Sequence, residues 1–170
     1  MRDPFLITTP TIINVSGGRT SALMLRRYLD ANGGRLPAET HAVFANVGRE
    51  RPETLDFLVR CAEAWGVDLR WIERTPGGGF REVTPETASR DGEPLATLFR
   101  ERRYLSNPVT RFCTADGKIQ TARDFMRARG YDHWTSAVGL RYDEPSRVHK
   151  LRARDAGQWD VACPLYDAKV

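Results

Sequence analysis

The chain has 170 residues, 41% hydrophobic and 28% charged, with a net charge of +4. These are the proportions of one globular domain over residues 1–170, and they exclude a disordered, fibrous or low-complexity chain. No apolar run nears the roughly 18–20 residues that cross a bilayer. Met1-Arg2-Asp3-Pro4 lacks the basic start and apolar stretch of a signal peptide. The expectation is therefore a cytoplasmic protein with no membrane partner.

Thr11–Val15 is short, apolar and β-branched and ends at Ser16-Gly17-Gly18, which predicts a buried strand. Helical spacing follows over Thr20–Asp30 and stops at Asn32-Gly33-Gly34. His41–Val47 predicts a second strand, broken by Gly48. Pro52 opens a second helix in which Leu55, Leu58, Val59, Ala62 and Trp65 recur until Gly66. Asp68–Glu73 predicts a third strand. This alternation implies parallel strands joined by helical crossovers.

Pro76-Gly77-Gly78-Gly79 opens an irregular stretch to about Pro94, expected to be a mobile loop over the site. Helices are expected over Leu95–Tyr104 and Ala115–Arg129, then strands over Trp134–Leu140 and Val161–Leu165. The fold class that results is an α/β three-layer sandwich with a mostly parallel sheet of about five strands. The chain stops five residues after Leu165, so it reads as a minimal version of its fold or a piece truncated at the C-terminus.

Charge is unevenly placed. Residues 100–154 hold 13 Lys and Arg against 6 Asp and Glu, net +7, inside an otherwise nearly neutral chain. Such a block suits an anionic partner, a nucleotide or a nucleic acid, and suits equally a solvated arginine-rich face. Cys61, Cys113 and Cys163 show no CxxC spacing, so neither a disulfide framework nor an iron–sulfur cluster is expected. His41, His133 and His149 have no metal-ligand spacing. Cys61 and Cys163 are expected in the core, the tryptophans Trp65, Trp71, Trp134 and Trp159 in packing rather than as a base-stacking platform, and Arg123, Arg127 and Arg129 on a solvated helix face.

The sharpest local signal is Ser16-Gly17-Gly18-Arg19-Thr20-Ser21, between a predicted strand and a predicted helix. Glycines admit close approach of an anion to backbone, and the free N–H groups and dipole of a helix N-terminus favour phosphate. It is neither a Walker P-loop nor a GxGxxG loop. Arg111, Lys118, Arg141 and Arg147 flank the ends of predicted elements, where guanidinium forks match phosphate or sulfate oxygens. Glu50 and Glu144 suit a magnesium ion or a ribose hydroxyl, and suit equally an ion pair with a nearby arginine. Cys113, between Arg111 and Lys118, sits where a thiolate would be favoured; a small buried apolar role is the alternative.

Asn14-Val15-Ser16-Gly17-Gly18-Arg19-Thr20-Ser21-Ala22 resembles the PP-loop, SGGxxS, of the adenine nucleotide alpha-hydrolase-like (HUP) superfamily. Three further stretches resemble its phosphoadenosine phosphosulfate (PAPS) reductase-like branch of bacteria and phages. They are Phe44-Ala45-Asn46-Val47-Gly48-Arg49-Glu50 with Glu53-Thr54-Leu55-Asp56-Phe57; Arg111-Phe112-Cys113-Thr114 with Lys118; and Gly139-Leu140-Arg141-Tyr142-Asp143-Glu144-Pro145-Ser146-Arg147. The order is that of the family and spans residues 11–147. Departures are Arg19-Thr20 where many members have Lys-Asp, Val47 for the usual Thr, and no Glu-Cys-Gly-x-His segment.

The resemblance implies an adenine-nucleotide-binding enzyme acting at the α-phosphate of ATP or on PAPS. Ser16, Gly17, Gly18, Arg19, Thr20, Ser21, Asn46, Gly48, Glu50, Arg111 and Gly139 would bind the nucleotide. Arg141, Arg147, Lys118 and Cys113 would carry the chemistry, with Glu144 as a magnesium ligand. A thiol or sulfur donor, a nucleic acid and a second copy of the chain are possible partners. Two other readings stand beside it: an ATP-pyrophosphatase-type adenylating enzyme for thiolation or modification, and a non-catalytic nucleotide-binding module.

Overall fold

The computed structural model describes residues 3–105, 114–153 and 157–170. Six strands form one sheet: β1 Thr11–Asn14, β2 Thr40–Asn46, β3 Leu69–Arg74, β4 Phe80–Val83, β5 Trp134–Val138 and β6 Trp159–Ala162. Their order is β4-β3-β2-β1-β5-β6. Every neighbouring pair is parallel except β3 with β4. The helices are α1 Arg19–Ala31, α2 Pro52–Trp65, α3 Glu93–Arg102, α4 Thr121–Ala128, α5 Pro145–Arg152 and the single turn α6 Pro164–Asp167. A π-helical segment, Ala115–Gln120, runs directly into α4.

Strand pleating sends alternate residues to opposite faces, and helices cover both. Ile13, Ala42, Phe44, Trp71 and Ala137 pack with Met24, Leu25, Tyr28 and Leu29 of α1 and Leu55 and Leu58 of α2. Their neighbours Ile12, Val43, Ile72 and Trp134 pack with Ala122, Phe125 and Met126 of α4. A smaller cluster joins Leu140, Val148 of α5 and Cys163. The mostly parallel α/β sheet is thus as the sequence implies.

Several details differ. The sheet has six strands, because Phe80–Val83 pairs antiparallel with β3 inside the stretch expected to be irregular. Its middle residues Arg81 and Glu82 are exposed on an edge, so no apolar alternation announces it. Trp159–Ala162 replaces the expected Val161–Leu165, since Pro164 begins α6 and Leu165 is fully buried from that helix. Residues 145–152 form α5, with Pro145 in its first turn. Arg129, expected on a solvated face, lies over the Phe125 ring at 3.6 Å and pairs with Glu82 at 2.6 Å. Cys61 is half-buried, whereas Trp71, Trp134 and Cys163 are buried as expected. Among the described residues no helix is long and apolar enough to cross a membrane.

Phe125 is wholly buried and meets the rings of His41 and Phe80 edge-on, with centroids 5.6 Å away in both cases. Phe125→Ala should therefore cost about 3–5 kcal/mol through lost burial and a residual cavity. Chemical denaturation measures this; a loss below about 1 kcal/mol would show that α4 does not anchor its face of the sheet.

Candidate functional site

In an open parallel sheet, ligands collect beyond the carboxyl ends of strands where the strand order reverses. Here the chain proceeds from β1 to β2 and β3 on one side, then returns to place β5 and β6 on the other. The reversal point is the carboxyl end of β1. Three segments leave the sheet there side by side: 15–21 after β1, 47–51 after β2 and 139–147 after β5.

The first carries the glycine-serine loop. Gly17 has φ +82° and is buried; a Cβ there would lie 2.5 Å from Thr54 Cγ2 on α2. Only glycine meets both conditions at once. Gly18 is different: extended at φ −84°, exposed, and facing nothing closer than Ser16 Oγ at 3.8 Å. Ser21 closes the loop from inside. Its buried Oγ accepts the Ser16 N–H at 3.0 Å and donates to the Gly18 carbonyl at 2.9 Å. The first turn of α1 has neither a side-chain cap nor an acidic residue. Its leading N–H groups lack intrahelical partners, and beside them Ser16, Gly18 and Arg19 face solvent.

Gly139 explains how the third segment comes so near the first. A Cβ on it would lie 3.2 Å from Ser21 Cα and 3.4 Å from Ser21 N. The exit of β5 is therefore packed on the N-terminus of α1. Beyond it stands a cluster of alternating charge. Arg141 grips Asp143 through two hydrogen bonds of 3.0 Å, and its backbone N–H donates to Glu144 Oε2 at 3.0 Å. Arg147 pairs with the other Glu144 oxygen. The Arg141 N–H, and then Arg147, hold the Glu144 carboxyl below its ordinary pKa. Arg141 and Arg147 both keep more than half of their side-chain surface exposed, 54% and 66%.

On the other side, Lys118 of the π-helical segment meets Glu50 at 3.2 Å, joining two residues the sequence singled out separately. Gly48, at φ +78°, lies against segment 88–92: a Cβ would be 2.8 Å from Ser89 Oγ and 2.9 Å from Gly92 Cα. Asn46 is buried, and its side chain is wholly occupied within the protein. Its amide donates to Glu73 and to the Ser89 carbonyl, and its oxygen accepts the Gly48 N–H. Asn46 thus shapes the β2 exit rather than presenting its amide to a ligand. The same holds for the Ser21 hydroxyl. Arg111 and Cys113 lie outside the described residues.

Glu50 and Glu144 fit a magnesium site poorly, since each is engaged by its own cation on opposite sides of β1. Among the described residues no three His, Cys, Asp or Glu side chains converge. Two clefts lie away from the Ser16 loop. One of about 350 Å³ is lined by Arg74, Arg102, Asp116 and Arg123, and one of about 410 Å³ by Arg70, Trp71, Glu82 and Thr84. Sequence reasoning passed over Glu73 and Ser89. The one available signal was an acid ending the otherwise apolar run Trp71-Ile72.

No protein-family model matches the chain. The chain is similar to the uncharacterized nin region protein ORF290 of Escherichia phage lambda, with 25% identity over 146 residues, 81% of this chain. It spans 50% of that protein's length.

The two loop glycines should separate on substitution. Gly17→Ala forces both a left-handed backbone and a steric clash, so it should lower stability by about 1–3 kcal/mol. Gly18→Val should unfold at nearly the wild-type temperature, because valine is at ease in extended backbone, yet lose affinity for inorganic pyrophosphate. Thermal unfolding and calorimetry distinguish them; a Gly18→Val protein that is folded and binds as before would remove the loop as an anion site.

Proposed function

We propose that this chain is an adenine-nucleotide-binding enzyme of the PAPS reductase-like branch, acting at the α-phosphate of ATP or on PAPS. The observation that carries this reading is the uncapped N-terminus of α1, opening behind Ser16-Gly17-Gly18 at the strand-order reversal. The helices on both faces of the sheet fit a three-layer, HUP-like arrangement. The order of the four resembling segments along the chain supports the family, and the similarity to a phage protein fits a branch found in phages.

The division of labour follows from position. Backbone N–H groups of residues 17–20 and the dipole of α1 hold phosphate oxygens. Arg141 and Arg147, on the β5 exit packed against α1, stand where negative charge would grow on a departing pyrophosphate. Each is pre-oriented by an acid, Asp143 or Glu144, so little ordering remains to be done on binding. In the ATP reaction an acceptor oxygen attacks the α-phosphorus, the bond to the bridging oxygen breaks, and pyrophosphate leaves with the electron pair. The loop has no lysine of the Walker kind to serve a γ-phosphate reaction.

Ion-exchange analysis of products tests this directly. ATP turnover should yield AMP, free or joined to an acceptor, and pyrophosphate. Arg141→Ala should lower turnover by roughly 100-fold, and affinity by much less, as expected for a group that acts on transition-state charge. ADP and inorganic phosphate would contradict the assignment. Adenosine 3′,5′-bisphosphate and sulfite, formed from PAPS with a thiol donor that is oxidised to its disulfide, would place the chain with the reductases. Binding without turnover of either nucleotide would leave a nucleotide-binding module.

A further inference from the structure

Glu73 ends the apolar run of β3, and its side chain is fully buried. Both carboxylate oxygens are saturated. Oε1 accepts the Ser89 N–H at 2.6 Å and the Asn46 amide at 2.7 Å; Oε2 accepts Arg81 Nε at 3.1 Å and Nη2 at 2.7 Å. Those donors come from three places: the end of β2, the edge strand β4 and the segment leading to α3. Asn46 passes the restraint on, since its second amide bond reaches the Ser89 carbonyl at 2.9 Å and its oxygen holds the Gly48 N–H at 3.0 Å.

A carboxylate buried in this way is an expensive route to stability, because packed apolar side chains of similar size commonly serve as well or better. What the carboxylate does that an apolar side chain cannot is fix three backbone segments in one geometry. The segment so fixed is the wall of the candidate site on the β2 side: Gly48, in contact range of Ser89 and Gly92, then Glu50 with its Lys118 partner. A nucleotide whose phosphates lie on the Ser16 loop must extend its nucleoside over a neighbouring strand end. Towards β5 that space is narrowed by Gly139 packed on α1 and by the Arg141–Asp143 and Arg147–Glu144 pairs. Towards β2 it is bounded by the wall that Glu73 holds.

We propose that Glu73 is a positioning residue for nucleoside binding: through Asn46 and Ser89 it sets the β2 wall, without itself touching the ligand. This rests on the nucleotide reading of the Ser16 loop. All four groups that face the Glu73 carboxylate are donors. In Glu73→Gln the amide can therefore keep its oxygen on Asn46 and Ser89 only by turning its NH2 towards the Arg81 guanidinium, donor against donor; that repulsion displaces the side chain and loosens the Asn46 and Ser89 bonds with it. Adding Arg81→Gln supplies an acceptor oxygen there and relieves the conflict.

Calorimetry with two probes, ATP and inorganic pyrophosphate, well below each variant's unfolding temperature, tests the proposal. Wild type should bind both. Glu73→Gln should bind pyrophosphate within about twofold of wild type and ATP roughly 10- to 100-fold more weakly, the scale of a displaced positioning group. The double variant should recover most of the ATP affinity. Equal ATP affinity in folded Glu73→Gln would overturn the proposal, and so would a parallel loss for both probes, which would make Glu73 a determinant of general stability only. If Glu73→Gln does not fold, Asn46→Ala carries the same expectation and the same contradictions. Failure of wild type to bind either probe is a different result: it removes the nucleotide reading itself and the proposal with it.

Discussion

The structure turns on where strand β1 lies. Placed between β2 and β5, it is the strand at which the sheet order reverses, and beyond its carboxyl end Ser16, Gly18 and Arg19 face solvent. Everything offered as a site depends on that placement. The glycine loop reaches solvent because β1 ends there. The N-terminus of α1 is uncapped there, and the exits of β2 and β5 flank it because their strands pair with β1 in parallel. Two glycines make the arrangement dense enough to be specific. Gly17 lets α2 approach the loop, and Gly139 lets the β5 exit lie on the first turn of α1.

Charge acts more locally than the sequence suggests. The block at 100–154 carries net +7, yet much of it is neutralised in place. Arg100 pairs with Glu93, Arg102 with Asp116, Lys118 with Glu50, Arg129 with Glu82, and Arg152 with Asp167. Several of these partners come from outside the block, so the excess seen along the chain is partly an accident of where pairs are divided in sequence. Pairs of this kind contribute little to stability where both partners are exposed, as in Arg100–Glu93 and Arg152–Asp167, with a median of about 0–1 kcal/mol. Their effect is on the field, which leaves less of a continuous basic surface for a nucleic acid than the charge count implies. Arg19 and Arg49 take part in none of the ion pairs formed among the described residues, and both lie on segments that leave the carboxyl edge at the reversal.

Much of this was legible in the sequence where pattern is strong. β1, α1, β2, α2 and β3 follow from apolar runs closed by Gly33-Gly34, Gly48 and Gly66, with boundaries within a residue or two. The loop at Ser16 was legible because a strand, two glycines and a helix follow one another directly. Elements that escaped are those without a periodic apolar face. β4 exposes its two middle residues on an edge, and α5 contributes Val148 as its one fully buried side chain. The role of Asn46 and Glu73 was hidden for another reason. A polar residue at a strand end is read as a solvent or ligand contact, and only the three-dimensional pairing shows that these two satisfy one another across β2 and β3. Proximity of Glu50 to Lys118, 68 residues apart, is likewise a product of the π-helical segment packing under the β2 exit.

The most direct test of the account is amide chemical-shift mapping of the isotopically labelled protein during titration with ATP. The central claim is that the opening at the end of β1 holds the phosphates. It requires the largest shifts at Gly17, Gly18, Arg19 and Thr20, with further changes at Gly48 and Gly139 on the two flanking exits. Saturable shifts confined to the cleft lined by Arg74, Arg102 and Arg123, or to the one lined by Arg70 and Trp71, with the Ser16 loop unmoved, would contradict it.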